Sequence, residues 1–228
     1  MADFLTSPIA SKDDLIAAVS RCGILPLFVN SIPGFSVEEH AAPQAWFSGE
    51  EGVWEWKGPV IRESGCAYGK FFENKAAFLS LDCFLDFANW RRDGCDFDSL
   101  YEEGMAPRRD KLLYDLIAEN GPIASKALKR LGNYRKGGAA GFDTSMAHLQ
   151  AKGYVVISDF VYAKDRFGQP YGWGLAEYAT PERLFGAAFS EHVYDREPEE
   201  SLERLLSCLR SLLPYAEEAA LRRFLGAK

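Results

Sequence analysis

The stretch that decides the fold of this 228-residue chain is residues 141–179, which read GFDTSMAHLQAKGYVVISDFVYAKDRFGQPYGWGLAEYA. Near its start, Phe142, Met146 and Leu149 recur at the three-to-four-residue spacing of a buried helix face. This periodicity predicts a helix over residues 139–152.

Two runs rich in β-branched and aromatic residues follow Gly153, which we expect to end that helix. The first run is a predicted strand from residue 154 to about 162, and the second is a returning strand over 171–179. Residues 163–170 are polar and contain a glycine and a proline, which are typical of a turn. The pattern predicts a β-hairpin after the helix.

Upstream, the spacing of apolar residues predicts helices over 108–119 and 122–131, joined to the third helix by a basic, glycine-containing turn at 132–138. Three helices followed by a hairpin is the order of a winged helix. In that arrangement the third helix is presented outward and the hairpin loop is the wing.

The same order recurs earlier in the chain, in weaker form, as a helix, a short helix, a helix and a hairpin. These elements are predicted at residues 11–23, 36–39, 52–64, 66–72 and 76–80, with a further helix over 81–92. Within the hairpin we expect a three-residue polar turn, Glu73 to Lys75. A polar stretch at 94–107 is expected to separate the two units.

We therefore predict an α+β fold, mainly α, with tandem winged-helix-like units (helices plus β-hairpins) and a C-terminal helical hairpin. The predicted domains are 11–93, 104–180 and 181–228. In the tail, a helix that begins at Pro198 carries a dense leucine stripe and a final helix spans 215–225. This hairpin either caps the fold or forms a homodimer interface, since such a stripe serves both purposes.

The distribution of charge singles out the second unit. The chain carries 26 Lys or Arg against 33 Asp or Glu, for a net charge of −7. Residues 104–170 contain eleven basic and six acidic side chains, a net charge of +5, and the remainder carries −12. An acidic remainder would restrict nucleic acid to one face of the molecule.

Ten residues of this unit are candidates for contacts with duplex DNA. Basic side chains before the third helix and in the wing would bind phosphates: Lys126, Lys129, Arg130, Arg135, Lys136 and Arg166. On the third helix Thr144, His148 and Lys152 share a face at a spacing of four and, with neighbouring Ser145, are candidates for groove contacts. The alternative interpretation is a solvated face with an ordinary surface histidine.

Other sequence features exclude several classes of protein. The five cysteines form no Cys-x-x-Cys pair, and with three histidines they give no zinc spacing. No phosphate-binding glycine motif and no long apolar span occur. We expect reduced thiols in the cytoplasm, no cofactor, no metal and no membrane partner. Four tryptophans are expected in the core, with the stacking of a flipped base by one of them as the alternative: Trp46, Trp54, Trp56 and Trp90.

Two further segments carry a resemblance to a known family. They read Trp54-Glu55-Trp56-Lys57 and Cys66-Ala67-Tyr68-Gly69-Lys70-Phe71-Phe72. Together with the pattern over 108–179, they resemble the AlkZ-like (YcaQ-like) winged-helix proteins, and more specifically a bacterial branch described as AlkZ-related. The resemblance covers roughly residues 15–184. It implies tandem winged helices and a DNA-repair context with damaged or alkylated DNA as the partner.

The resemblance transfers no catalytic residue. The glycosylases of that family use a Gln-x-Gln or Gln-x-Asp motif, and Gln44, Gln150 and Gln169 of this chain lie in neither. The leading hypothesis is a DNA-binding winged-helix protein, not assigned as an enzyme. The alternatives are a DNA glycosylase with diverged catalytic residues and a non-enzymatic protein-interaction module or dimer.

Overall fold

Two units of the same topology follow one another along the chain, and a helical tail follows both. The computed structural model describes residues 8–47, 52–168 and 170–227. Helices predominate in both units, and each unit contains a small three-stranded antiparallel sheet. The structure confirms the predicted α+β, mainly α, class with winged-helix-like units in tandem.

In the described residues of the first unit there are five helices and three strands. They are α1 (Lys12–Cys22), β1 (Ile24–Pro26), α2 (Val37–His40), α3 (Gln44–Phe47), α4 (Val53–Ser64), β2 (Ala67–Phe72), β3 (Lys75–Leu79) and α5 (Leu81–Arg92). The sheet order is β1–β3–β2, so the returning strand of the hairpin lies in the middle. In this register Leu79 of β3 pairs with Ile24 on one side and Ala67 on the other.

Local chemistry explains where these elements begin and turn. The Ser11 side chain accepts a hydrogen bond of 3.1 Å from the Asp14 N–H and so caps α1. The hairpin turn has two residues, because Glu73 and Asn74 both adopt positive φ while Lys75 already belongs to β3. This geometry matches the twist of the flanking strands, and the expected three-residue turn was wrong.

The second unit repeats the arrangement with longer strands. Its elements are α6 (Phe97–Glu102), α7 (Arg108–Asn120), β4 (Ile123–Ala124), α8 (Ser125–Leu131), α9 (Phe142–Ala151), β5 (Val156–Lys164) and β6 (Pro170–Ala179). The sheet order is β4–β6–β5, which corresponds to that of the first unit.

One expectation for the helices of this unit was wrong. The predicted helix over 122–131 begins only at Ser125, because Ile123 and Ala124 pair with Tyr178 and Glu177 as the third strand of the sheet. The polar stretch at 94–107 contains α6, whose Phe97 and Leu100 lie in the core of the second unit. That stretch is therefore part of the packed structure.

The two units pack on each other in a reciprocal way. Helix α4 of the first unit lies against β5 of the second, α9 lies against β2, and β2 and β5 contact each other. Gly58 allows α4 to lie close to β5, since a Cβ at this position would lie 2.8 Å from the Asp159 carboxylate. An Arg62–Asp159 ion pair joins α4 to β5. Across the other contact, the Gln150 side chain accepts a 3.1 Å hydrogen bond from the Lys70 N–H.

The tail packs on the first unit. It consists of α10 (Pro181–Phe185), α11 (Ala187–Ser190), α12 (Pro198–Leu212) and α13 (Glu218–Leu225). Leu202, Leu205, Leu206 and Leu209 of α12 are buried in a cluster with phenylalanines of α5 and of the first hairpin, and Leu212 packs against it partly buried. The stripe is thus occupied within the chain, which removes the reason for expecting a homodimer through these helices. No helix in the described residues is both long and apolar enough to cross a membrane.

Arg92, the last residue of α5, connects the first unit to the second unit and to the tail. Its side chain is 1% exposed. The guanidinium donates hydrogen bonds of 2.7 Å to the Glu182 carboxylate, 2.7 Å to the Gly153 carbonyl and 3.1 Å to the Tyr194 hydroxyl. It also lies 4.6 Å from the ring centroid of Tyr154. A buried cation that meets several acceptors in a fixed fork is a specific link between elements.

We predict that Arg92→Ala lowers the free energy of unfolding by about 3 kcal/mol, because it leaves Glu182 and a buried carbonyl without their donor. Chemical denaturation measures this change. The matched control is Arg223→Ala on α13, whose side chain is exposed, and it should change stability by less than about 0.5 kcal/mol. Equal effects of the two substitutions would contradict the role given to Arg92.

Candidate nucleic-acid interface

The predicted basic cluster converges on one surface of the second unit. Four of its cations, Lys126, Lys129, Arg130 and Arg135, line a shallow groove of about 410 Å³ together with Asn133 and Tyr134. We call this the basic groove. Lys136 is exposed on the same turn but does not line the groove.

The local sequence accounts for this convergence. Lys126, Lys129 and Arg130 lie on one side of α8 at three- and four-residue spacing. After Gly132, Asn133 adopts a left-handed conformation with φ of 58° and reverses the chain. The Asn133 side chain then accepts a 2.8 Å hydrogen bond from Arg135 Nε, which holds that guanidinium at the groove.

A second groove lies along α9. Thr144 and His148 line it from the helix, with Asp143, Ala147 and Ala151, and its volume is about 470 Å³. The opposite wall is Lys70 and Asn74 of the first hairpin. We call this the helix groove. Sequence reasoning missed Lys70 and Asn74 because only the packing of α9 on β2 brings them there.

Lys129 connects the two grooves. Its ammonium lies 3.7 Å from the Asp143 carboxylate, which lines the helix groove. The same ammonium is 4.5 Å from the ring centroid of Phe142. The two grooves therefore form neighbouring parts of one surface.

His148 has a defined partner on the neighbouring helix α7. Its Nδ1 atom lies 3.3 Å from Oδ2 of Asp110, whose side chain is 4% exposed. The other carboxylate oxygen of Asp110 is 3.6 Å from Arg109 Nε. A buried carboxylate on one ring nitrogen orients a histidine and leaves the other nitrogen available.

Ser145 differs from the other residues predicted to contact DNA, because it lies in the core. Its side chain is fully buried, and its hydroxyl has no hydrogen-bond partner among the described residues. The helix turns this position toward the core beside Met146, so it cannot touch a ligand in this conformation. Lys152 is exposed just after α9 ends, and Arg166 is exposed in the wing, where its guanidinium lies 4.6 Å from the Phe167 ring centroid.

A third cavity was not foreseen from the sequence. It has a volume of about 200 Å³ and lies between α4 and the β5–β6 hairpin, with Trp54, Lys57, Phe160, Tyr162, Trp173 and Gly174 among its lining residues. We call this the tryptophan pocket. It forms because reciprocal packing places the aromatic residues of α4 against those of the second hairpin.

Lys57 is the charged group of this pocket. Lys57 as a whole is 8% exposed. Its ammonium lies 4.5 Å from the Trp54 ring centroid and 4.3 Å from the Phe160 ring centroid. Within the described part of the chain it forms no hydrogen bond or ion pair, so the aromatic faces are its main stabilising contacts. Burial lowers the pKa of Lys57 from 10.5 to about 8, while the charge of nearby Glu55 acts in the opposite direction.

The fold and the two grooves define a class of protein, a tandem winged-helix-like protein with a cationic surface on its second unit. The family model described as AlkZ related matches residues 9–226, and the chain belongs to this family.

A search of curated proteins finds no match. Among solved structures, a chain described as Streptomyces sahachiroi DNA glycosylase AlkZ matches with 15% identity and a TM-score of 0.49. The match covers 98% of this chain and 61% of that chain.

We predict that Lys57→Met raises the free energy of unfolding at pH 7 by about 2 kcal/mol, because it removes a poorly solvated charge. Unfolded lysine keeps its proton to about pH 10.5, whereas folded Lys57 releases it near pH 8. Between these values the unfolded state binds more protons, so wild-type stability rises with pH. The advantage of the variant should therefore shrink from pH 8 to pH 10.5 in denaturation experiments, and a constant difference would contradict the burial of this charge.

Proposed function

We propose that this protein binds duplex DNA through its second winged-helix-like unit, with damaged or alkylated DNA as the biological target. The observation that carries the proposal is the convergence of four cations of the basic groove beside α9. The family described as AlkZ related supports a DNA-directed role. The five cysteines are free thiols, which fits the reducing cytoplasm that the sequence predicts.

Each part of the surface has a distinct task in this proposal. The basic groove binds the phosphate backbone and orients the duplex without reading its sequence. Thr144 and His148 are exposed on α9 and contact the base edges or the backbone in a groove of the duplex. Lys152 follows on the same side, and Arg166 in the wing binds a neighbouring phosphate.

We predict that the double variant Arg130→Ala, Arg135→Ala weakens duplex binding and lowers the slope of log K against log salt by about two, because each arginine neutralises one phosphate. Fluorescence anisotropy over a salt series measures both quantities. The matched control is Arg222→Ala, Arg223→Ala, which removes the same charge from α13 in the tail. Equal salt slopes for wild type and the groove variant would refute the proposed surface.

The second candidate function is base excision by a glycosylase with diverged catalytic residues. The observation in its favour is the pairing of His148 with Asp110 at 3.3 Å on the helix-groove side of α9. A histidine that a carboxylate orients is a suitable general base for activating water. In this function His148 would take a proton from the water that attacks C1′ of the damaged nucleotide. The C1′–N glycosidic bond would break, and the N-alkylated base would leave as a neutral molecule. Lys70 would lie on the opposite wall of the helix groove.

This candidate predicts that excess wild-type protein forms abasic sites in a duplex carrying N-alkylated bases, detected as strand breaks after alkali. His148→Gln should reduce the rate by about a hundredfold or more, because general base catalysis contributes on that scale. His192→Gln is the matched control, since His192 pairs with Asp195 at 2.9 Å in the exposed tail. The absence of abasic sites with wild-type protein would exclude excision and leave DNA binding intact.

A further inference from the structure

The tryptophan pocket has no part in the phosphate and helix contacts just described. We propose that it receives a single unpaired nucleobase from the DNA that the second unit binds. This inference rests on the proposed DNA binding and adds the ligand of a separate site.

The pocket offers aromatic surface for a planar ligand. Trp173 is 80% exposed, and its ring lies edge-on to Trp54 with centroids 6.2 Å apart. Phe160 and Tyr162 also line the cavity. An indole in this position leaves a face open to solvent, and a nucleobase can stack on such a face with little dependence on its sequence.

Lys57 offers the polar contact that such a ligand needs. It is more than nine-tenths buried, lines the cavity and lacks an acceptor among the described residues. An ammonium held by two aromatic faces still has N–H donors to give. The carbonyl oxygens and unprotonated ring nitrogens of a nucleobase are acceptors that fit this requirement, so a base entering the pocket would satisfy Lys57.

The charge of the pocket favours a neutral ligand over an anion. Glu55 also lines the cavity, and its carboxylate accepts a 3.0 Å hydrogen bond from the Gly52 N–H at the start of α4. One ammonium and one carboxylate at the same cavity leave no net positive field for a phosphate or carboxylate. A planar, uncharged group with acceptor atoms suits this pair better.

The position of the pocket connects it to the proposed DNA surface. Phe160 and Tyr162 lie on β5, and Trp173 and Gly174 lie on β6, the two strands whose loop is the wing. A Cβ at Gly174 would lie 2.9 Å from the Tyr162 ring, so glycine is required for this close packing. DNA that contacts Arg166 in the wing would therefore run beside a cavity built on the same hairpin.

The test compares a fully paired duplex with the same duplex carrying one bulged, unpaired base, measured by fluorescence anisotropy at one salt concentration. We expect wild type to bind the bulged duplex about tenfold more tightly, the scale of one base stacked on an aromatic ring. Trp173→Ala and Lys57→Met should each abolish this preference and leave affinity for the paired duplex unchanged. With 2-aminopurine as the bulged base, its fluorescence should change with wild type and not with Trp173→Ala.

Phe167→Ala is the matched control, because Phe167 is an exposed aromatic residue of the same hairpin outside the pocket. It should keep the preference for the bulged duplex. Equal wild-type affinities for the two duplexes would refute the proposed role of the tryptophan pocket and leave the proposed DNA binding unaffected. A preference for the bulged duplex that survives both Trp173→Ala and Lys57→Met would have the same consequence. Failure to bind either duplex at low salt would overturn both proposals.

Discussion

The buried guanidinium of Arg92 is the constraint on which the arrangement of the molecule depends. It ends the last helix of the first unit and donates at once to Gly153, at the junction of α9 and β5, and to Glu182 in the tail. Arg92 and these two partners belong to three different parts of the chain, namely the first unit, the second unit and the tail. A cation removed from water needs such acceptors. Its burial therefore restricts how the first unit, the second unit and the tail can be placed relative to one another.

This fixed arrangement determines the surface that the second unit presents. With α9 seated on β2, the core side of the helix is closed and Thr144 and His148 stay exposed. The same contact brings Lys70 and Asn74 of the first hairpin opposite that helix. The reciprocal contact of α4 with β5 creates the tryptophan pocket. The helix groove and the tryptophan pocket thus each contain residues that are distant in the sequence and meet only through the packing of the two units.

The electrostatics of the two halves of the molecule differ for a structural reason. In the tail and the first unit, several cations are engaged by carboxylates, as Arg204 is by Asp86 and Arg210 is by Glu203 and Glu218. In the basic groove, Arg130 and Arg135 face solvent beside other cations. A net charge of −7 therefore coexists with a local positive surface, and the field at a ligand depends on that local surface.

The sequence by itself determined the order of helices and hairpins, because apolar periodicity and turn residues act within a few positions of one another. It also identified the basic cluster, since the three- and four-residue spacing of Lys126, Lys129 and Arg130 places them on one side of a helix. It could not show that Ser145 is buried, since that depends on the elements packed against α9, or recognise β4, which pairs with β6. Only the tertiary structure shows that the leucines of α12 pack within the chain and that the Lys57 ammonium lies between the rings of Trp54 and Phe160. These features arise from contacts between distant segments, and local spacing carries no information about which distant segment will provide the partner.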